Sequence, residues 1–339
     1  MNNFAFATPT TVEEAVELLA ENDDARLMAG GVDLVHEMKQ GIRTPSLVVH
    51  LARVEGLDRI DLDGGRLVIG ALAKVGELET NELVAGHAPL LAQAAREVAT
   101  PQLRAMGTVA GNILQRPQCW YYRDADSFCL RKGGEHCHAV AGDNRYHAIL
   151  GGGPCHIVCP SDLAPALLAL GAEAVVLGAD GERTIPLGEL FVGPRKDPHN
   201  EHVLSRTDVI TSIAVPTAAG GAATRPRAAA GGGSTSSVFL KARERSAWDF
   251  ALASVSALVE RGGDGTVSRA AIVLGGVAPN PWNAEEAAAA LAGTSLDEET
   301  IATAAKLAVK GARPLKQNAY KIGLTERLVA RALGTLGGY

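Results

Sequence analysis

Apolar residues recur with a helical period at Val12, Ala15, Val16, Leu18 and Leu19, which predicts an amphipathic helix near the N-terminus. Thr10-Thr11-Val12-Glu13 has the spacing of a capping box, in which a hydroxyl and a later glutamate satisfy the free amides of the first turn. Residues 26–29 and 46–50 read as strands, and 32–39 as a helix between them, so the first 55 residues form a small β-α-β unit with a glycine turn. Further strands are expected at 67–70 and 174–177, and a helix at 90–99. Ser161-Asp162 stands before 163–168, which carries Pro165 in its first turn and reads as a capped helix. The pattern predicts strands at 250–259 and 270–274 and helices at 284–292, 297–309 and 320–334, an α+β C-terminal domain. Residues 217–237 lack either period. They are mostly Ala, Gly, Ser and Thr, with Gly231-Gly232-Gly233-Ser234, and read as a flexible linker.

The chain has 339 residues, enough for two or three domains. Its formal charge of −6 gives no basic footprint for nucleic acid. No apolar run approaches the roughly 20 residues that cross a bilayer, so no membrane span is expected. Met1-Asn2-Asn3-Phe4-Ala5-Phe6 has neither a basic segment nor an apolar core. It therefore predicts no secretory signal and a cytoplasmic birth. In a reducing compartment clustered cysteines act as ligands more often than as disulfides.

All five cysteines lie between residues 119 and 159, with spacing C-x9-C-x7-C-x17-C-x3-C. Structural zinc usually uses closer pairs, and Cys155 and Cys159 make the one close pair here. A [4Fe–4S] cluster takes four thiolates and tolerates irregular spacing. It is the favoured reading, with zinc, disulfides and free thiols as the alternatives. Trp120, Tyr121, Tyr122 and Phe128 are expected to build a small core for this loop-rich stretch. His136, His138 and His156 beside the cysteines read as loop histidines rather than ligands.

Two glycine turns precede the cysteines. Glycine where a strand meets a turn lets backbone amides approach a phosphate, and a following helix adds its positive end. Ala29-Gly30-Gly31-Val32-Asp33-Leu34 has this form, although it is not the G-x-G-x-x-G dinucleotide fingerprint. The Asp33 charge would repel a phosphate, so capping a helix or pinning a loop is its expected role. Gly107-Thr108-Val109-Ala110-Gly111-Asn112 places Thr108 and Asn112 as hydrogen-bonding groups for a diphosphate or ribityl chain. Taken singly, each turn reads as ordinary turn geometry.

In combination, "AGGVDL", "GTVAGN" and "PSDLAPALLALGA" resemble the FAD-binding subunit of the xanthine dehydrogenase/molybdenum hydroxylase family. "FLKARERSAWDFALASVSALV" and "IVLGGVAPNPW" are similar to that family's C-terminal domain. The resemblance implies an α+β fold with two FAD-binding subdomains, 1–55 and 56–216, the linker 217–237, and a C-terminal α+β domain, 238–339. It implies that Met28, Ala29, Gly30, Gly31, Val32, Asp33 and Leu34 wrap the pyrophosphate, with Thr108, Gly111 and Asn112 opposite. Asp162 would meet the ribityl or adenosine part. Lys241 would lie near the flavin ring, where a cation stabilises an anionic reduced flavin. Val32 stands where the family usually has threonine, which removes a hydroxyl and leaves the amides in place.

Residues 113–160 intervene between the second turn and the serine-aspartate helix. "QRPQCWYYRD", "CLRKGG" and "NRYHAILGG" resemble the [4Fe–4S]-bearing insert of the periplasmic-type aldehyde oxidoreductases, and 4-hydroxybenzoyl-CoA reductases carry a similar one. The ligands expected are Cys119, Cys129, Cys137 and Cys155. Cys155 is preferred to Cys159 because it follows the pliant Gly151-Gly152-Gly153-Pro154 run, whereas Cys159 abuts Pro160 and the helix cap. Related inserts also place their last cysteine there. The resemblance implies an electron-transfer subunit with three partners: a molybdopterin-binding large subunit, a small subunit with two [2Fe–2S] clusters, and an external electron acceptor. No substrate-oxidising residue is expected on this chain. An export signal on a partner would make it periplasmic. The alternatives are the flavin subunit of a hydroxybenzoyl-CoA reductase-like or xanthine dehydrogenase-like enzyme, a stand-alone flavoprotein, and a zinc-stapled binding protein.

Overall fold

The structure, a computed structural model, describes residues 1–217 and 233–339. The first sheet contains β1 (Ala5–Ala7), β2 (Arg26–Met28) and β3 (Leu47–His50) in the order β1-β3-β2, all parallel. Helices Val12–Glu21 and Leu34–Lys39 make the two crossovers. The first packs Ala15, Val16 and Leu19 into a core with Leu47, Val49 and Leu51. Its cap lies one residue later than the sequence suggests. Thr11 Oγ1 accepts from the Glu14 amide at 3.1 Å, and the Glu14 carboxylate accepts from the Thr10 amide at 2.8 Å. The box needs an acid in the third helical position, which Glu14 occupies once Thr11 is the cap. The glycine turn leaves the carboxyl end of β2, the end of a parallel strand where α/β folds bind ligands.

The second sheet is antiparallel and mixes distant sequence. It contains β4 (Ile60–Asp63), β5 (Arg66–Gly70), β6 (Glu173–Gly178), β7 (Gly181–Pro186) and β8 (Val209–Pro216) in the order β4-β5-β8-β6-β7. Helices Pro89–Arg96 and Leu163–Ala169 bury Leu90, Leu91, Leu163 and Leu167 in its core. The second of these is capped by Ser161, whose Oγ accepts from the Ala164 amide at 3.0 Å, and not by Asp162.

The third sheet has β9 (Ser234–Ala242), β10 (Ala253–Arg261), β11 (Val267–Gly275) and β12 (Trp282–Asn283) in the order β12-β11-β10-β9. Helices Glu298–Ala308 and Tyr320–Gly337 cover it. Of the expected linker 217–237, residues 218–232 lie outside the described residues. Its ends are not linker. Thr217 is buried with its hydroxyl donating to the Gly65 carbonyl at 2.6 Å, and Ser234 to Ser237 pair with β10.

Residues 113–160 contain little regular structure and are held by their neighbours. Ile149 and Leu150 enter the C-terminal core, and their amides donate to the Val277 carbonyl at 2.9 and 3.1 Å. Asn144 and Gln317 exchange two bonds, each 2.9 Å. Lys321, fully buried, donates to the carbonyls of Tyr146 and Gly276 at 2.8 and 2.7 Å, and burial lowers its pKa to about 7. Of the four aromatics expected to form a local core, Tyr122 is buried but Phe128 is 67% exposed. Trp120 and Tyr121 pack against each other and against Tyr146 and His147, so a local aromatic cluster forms without Phe128, and the C-terminal domain holds the segment as well.

Candidate flavin site and thiol cavity

The two glycine turns meet. A Cβ built on Gly30 would stand 1.9 Å from the Met106 carbonyl oxygen, so only glycine lets the first turn lie against the second. Gly31 has φ +71°, a conformation that side chains rarely adopt. Val32 and Gly111 are exposed, while Met28, Ala29, Asp33 and Leu34 are half-buried around them. Thr108 is buried and caps the short helix Val109–Ile113, accepting from the Gly111 amide at 3.2 Å. Asn112 Oδ1 accepts from Ser161 Oγ at 2.7 Å, which ties the second turn to the Leu163–Ala169 helix.

Asp162 and Lys241 are bonded to each other. The Nζ–Oδ2 distance is 2.6 Å, with the two side chains 6% and 1% exposed. Lys241 also donates to the Glu97 carbonyl at 2.9 Å. Burial pushes the Asp162 carboxyl above its ordinary value, against the pull of the Lys241 ammonium. Lys241 is thus a buried, paired cation and not a solvated strand lysine.

Asp33 pins the insert rather than its own helix. It makes no capping bond. Instead it accepts from the Arg116 amide at 2.8 Å, Gln118 Nε2 at 3.3 Å and Arg123 Nη2 at 2.6 Å. Nearby, Tyr122 donates to Glu37 at 2.6 Å and accepts from Arg116 Nε at 3.0 Å. The Glu201 carboxylate pairs with both Arg116 and Arg131. Burial raises the Glu201 pKa, and the two guanidiniums pull against it. This chain of charges runs from the first glycine turn to the cysteines.

Cys119, Cys129, Cys137 and Cys155 line one small cavity together with Tyr122, Arg131, His147 and Ile157. Cys159 lines a different one, beside Ile113, Pro117 and Glu201, and its amide donates to the Ala278 carbonyl at 2.9 Å. None of the five is in a disulfide. Among the described residues no three His, Cys, Asp or Glu side chains converge as a single metal ion requires. The four thiols surround a space instead. Burial raises the Cys119 pKa to about 11 and that of Cys159 to about 12. The proximity of Cys137 and Cys155 lowers the second thiol to about 6 and raises the first. A wider cleft shares Cys119, His147 and Ile157 with this cavity and is otherwise walled by residues such as Gln118, Trp120, Tyr146 and Phe250.

Sequence reasoning overlooked His147, whose Nε2 lies 3.2 Å from Cys119 Sγ and whose pKa burial lowers to about 4. It has no cysteine neighbour to draw attention to it. His138 borders the cavity but is exposed, and His136 is 82% exposed. Arg131 and Glu201 were also missed. The signal for Arg131 was an arginine two positions after a cysteine, and Glu201 had none.

Known proteins bear on this arrangement. Residues 2–218 match the FAD binding domain in molybdopterin dehydrogenase, and residues 238–336 match the CO dehydrogenase flavoprotein C-terminal domain. The aldehyde oxidoreductase FAD-binding subunit PaoB of Escherichia coli K12 is 33% identical, the alignment covering 98% of this chain and 98% of that one. The carbon monoxide dehydrogenase medium chain of Hydrogenophaga pseudoflava is 28% identical over 97% of this chain and 96% of its own length. A solved carbon monoxide dehydrogenase from the same organism superposes with a TM-score of 0.75, covering 98% of this chain and 96% of that one. Glycine turns in contact, a two-part fold and matches that span both parts agree: this chain belongs to the family of FAD-binding flavoprotein subunits of the molybdopterin dehydrogenases.

Proposed function

We propose that this chain is the electron-transfer subunit of a molybdenum-dependent aldehyde oxidoreductase and carries FAD and one [4Fe–4S] cluster. The observation that carries the cluster is the single cavity lined by Cys119, Cys129, Cys137 and Cys155, with Cys159 outside it. A cubane cluster takes one thiolate per iron, so its ligands stand around a volume and do not meet at a point. The donor set fits: four sulfurs, a buried guanidinium as counter-charge, and apolar walls that exclude water. The match of residues 2–218 supports FAD. The extent of the likeness to an aldehyde oxidoreductase subunit supports aldehydes as the substrate class of the complex.

When bound, FAD would exchange electron pairs and single electrons between the partner clusters and an acceptor. The residues of this chain bind and orient. The amides of the two turns would face the diphosphate. The Asp162–Lys241 pair would set the electrostatic field beside the ring. Asp33 would hold the insert against the flavin turn. The molybdopterin-binding large subunit and a small subunit with two [2Fe–2S] clusters would complete the enzyme, and an external acceptor would reoxidise it.

The test is an assay of the purified chain with and without its two partners. Alone, it should oxidise no aldehyde, yet after chemical reduction it should pass electrons to a dye. Adding both partners should restore aldehyde-dependent dye reduction. Aldehyde turnover by the isolated chain would overturn the subunit reading.

A further inference from the structure

The wall of the thiol cavity carries a charge that ligation does not require. Arg131 lines the cavity with a side chain only 1% exposed. Among the described residues lining it, Arg131 alone bears a charge at every ordinary pH. Its Nη1 pairs with Glu201. Its Nε and Nη2 have no hydrogen-bond partner of ordinary geometry, although the guanidinium stands near enough to Cys155 to favour that thiol's anionic form. Unmet buried N–H groups on a cation are costly, and each calls for an explanation. The Glu201 carboxylate is moreover shared with Arg116, so one negative charge faces two positive ones. The wall is left with a net positive charge directed at four sulfurs.

We propose that Arg131 is the fixed counter-charge of the thiol cavity and raises the reduction potential of the group held there. This rests on the reading that the cavity holds a [4Fe–4S] cluster. One-electron reduction, with the electron coming from a [2Fe–2S] cluster of the small partner, adds one negative charge to a site that is already anionic. A buried cation beside it favours the reduced form over the oxidised one. Glu201 partly cancels that cation and so acts in the opposite direction.

The experiment is a potentiometric titration, followed by electron paramagnetic resonance, on the assembled complex carrying Arg131→Met, Arg131→Lys or Glu201→Gln. Iron and acid-labile sulfide are counted in each sample. Arg131→Met should keep its iron and lower the midpoint potential by at least about 59 mV, a tenfold change in a one-electron equilibrium. Arg131→Lys should fall between it and the wild type, and Glu201→Gln should raise the midpoint. A merely structural role would alter iron content without moving the midpoint in opposite directions. Full iron with an unchanged midpoint in Arg131→Met overturns the inference. Should that variant lose its cluster, unchanged midpoints in the other two overturn it equally. A wild-type complex with no iron on this chain overturns the cluster reading instead, a result that cannot be confused with the first.

Discussion

Cys155→Ser abolishes the iron–sulfur signal of this chain, and Cys159→Ser leaves it intact. That is the expected result, and it follows from where the two thiols lie. Cys155 lines the same cavity as Cys119, Cys129 and Cys137. Cys159 is buried in a separate cavity, its amide tied to Ala278, with Pro160 and the Leu163–Ala169 helix directly after it. Bringing Cys159 to a cluster in the thiol cavity would break that bond and pull the helix cap away from Asn112. Serine is close in size to cysteine, so neither change opens a large void, and the effect reads out ligation. The measurement is iron content together with low-temperature electron paramagnetic resonance of the reduced protein. Cluster loss in Cys159→Ser with retention in Cys155→Ser would reverse the assignment.

Lys241→Met should be among the most destabilising single changes in the chain, costing about 3–5 kcal/mol, because it leaves the Asp162 carboxylate buried without its partner. The pair joins the residue just before the Leu163–Ala169 helix to β9, so the loss falls where two parts of the molecule meet. A buried pair replaced as a unit costs far less than a broken one. The double variant Asp162→Asn/Lys241→Met should therefore recover most of the lost stability. The denaturation midpoint of the purified chain measures this, and flavin content measured beside it adds a second reading. If the pair also sets the field at the flavin, the double variant regains stability without regaining full flavin occupancy. A Lys241→Met midpoint equal to that of the wild type would show that the pair contributes nothing.

Much of the fold was legible in the sequence because its signals were local. The helix at Val12–Glu21 and the strands around the first glycine turn follow from period and turn residues within a few positions. Two strands that the sequence does not announce are made by tertiary partners. β7 exposes nearly every residue and so lacks alternation. β9 begins Ser-Thr-Ser-Ser, a loop-like composition that pairing with β10 overrides along the whole strand. The site divides in the same way. Clustered cysteines and glycine pairs announce themselves. The contacts that give them meaning do not, because Asp33 reaches Arg123 across 90 residues and Arg131 reaches Glu201 across 70. The partner of Lys241 is equally hidden, because a strand pattern does not record which lysine finds a buried carboxylate.

The most direct test of the proposed function is what the chain holds when purified anaerobically with its partners and then separated. Flavin released by acid, iron and acid-labile sulfide are measured on the same sample. The proposed function requires one non-covalent FAD per chain, with about four iron and about four sulfide atoms, as a cluster held by four thiolates does. FAD with zinc, or with no metal, in a chain whose five thiols all react freely would contradict it.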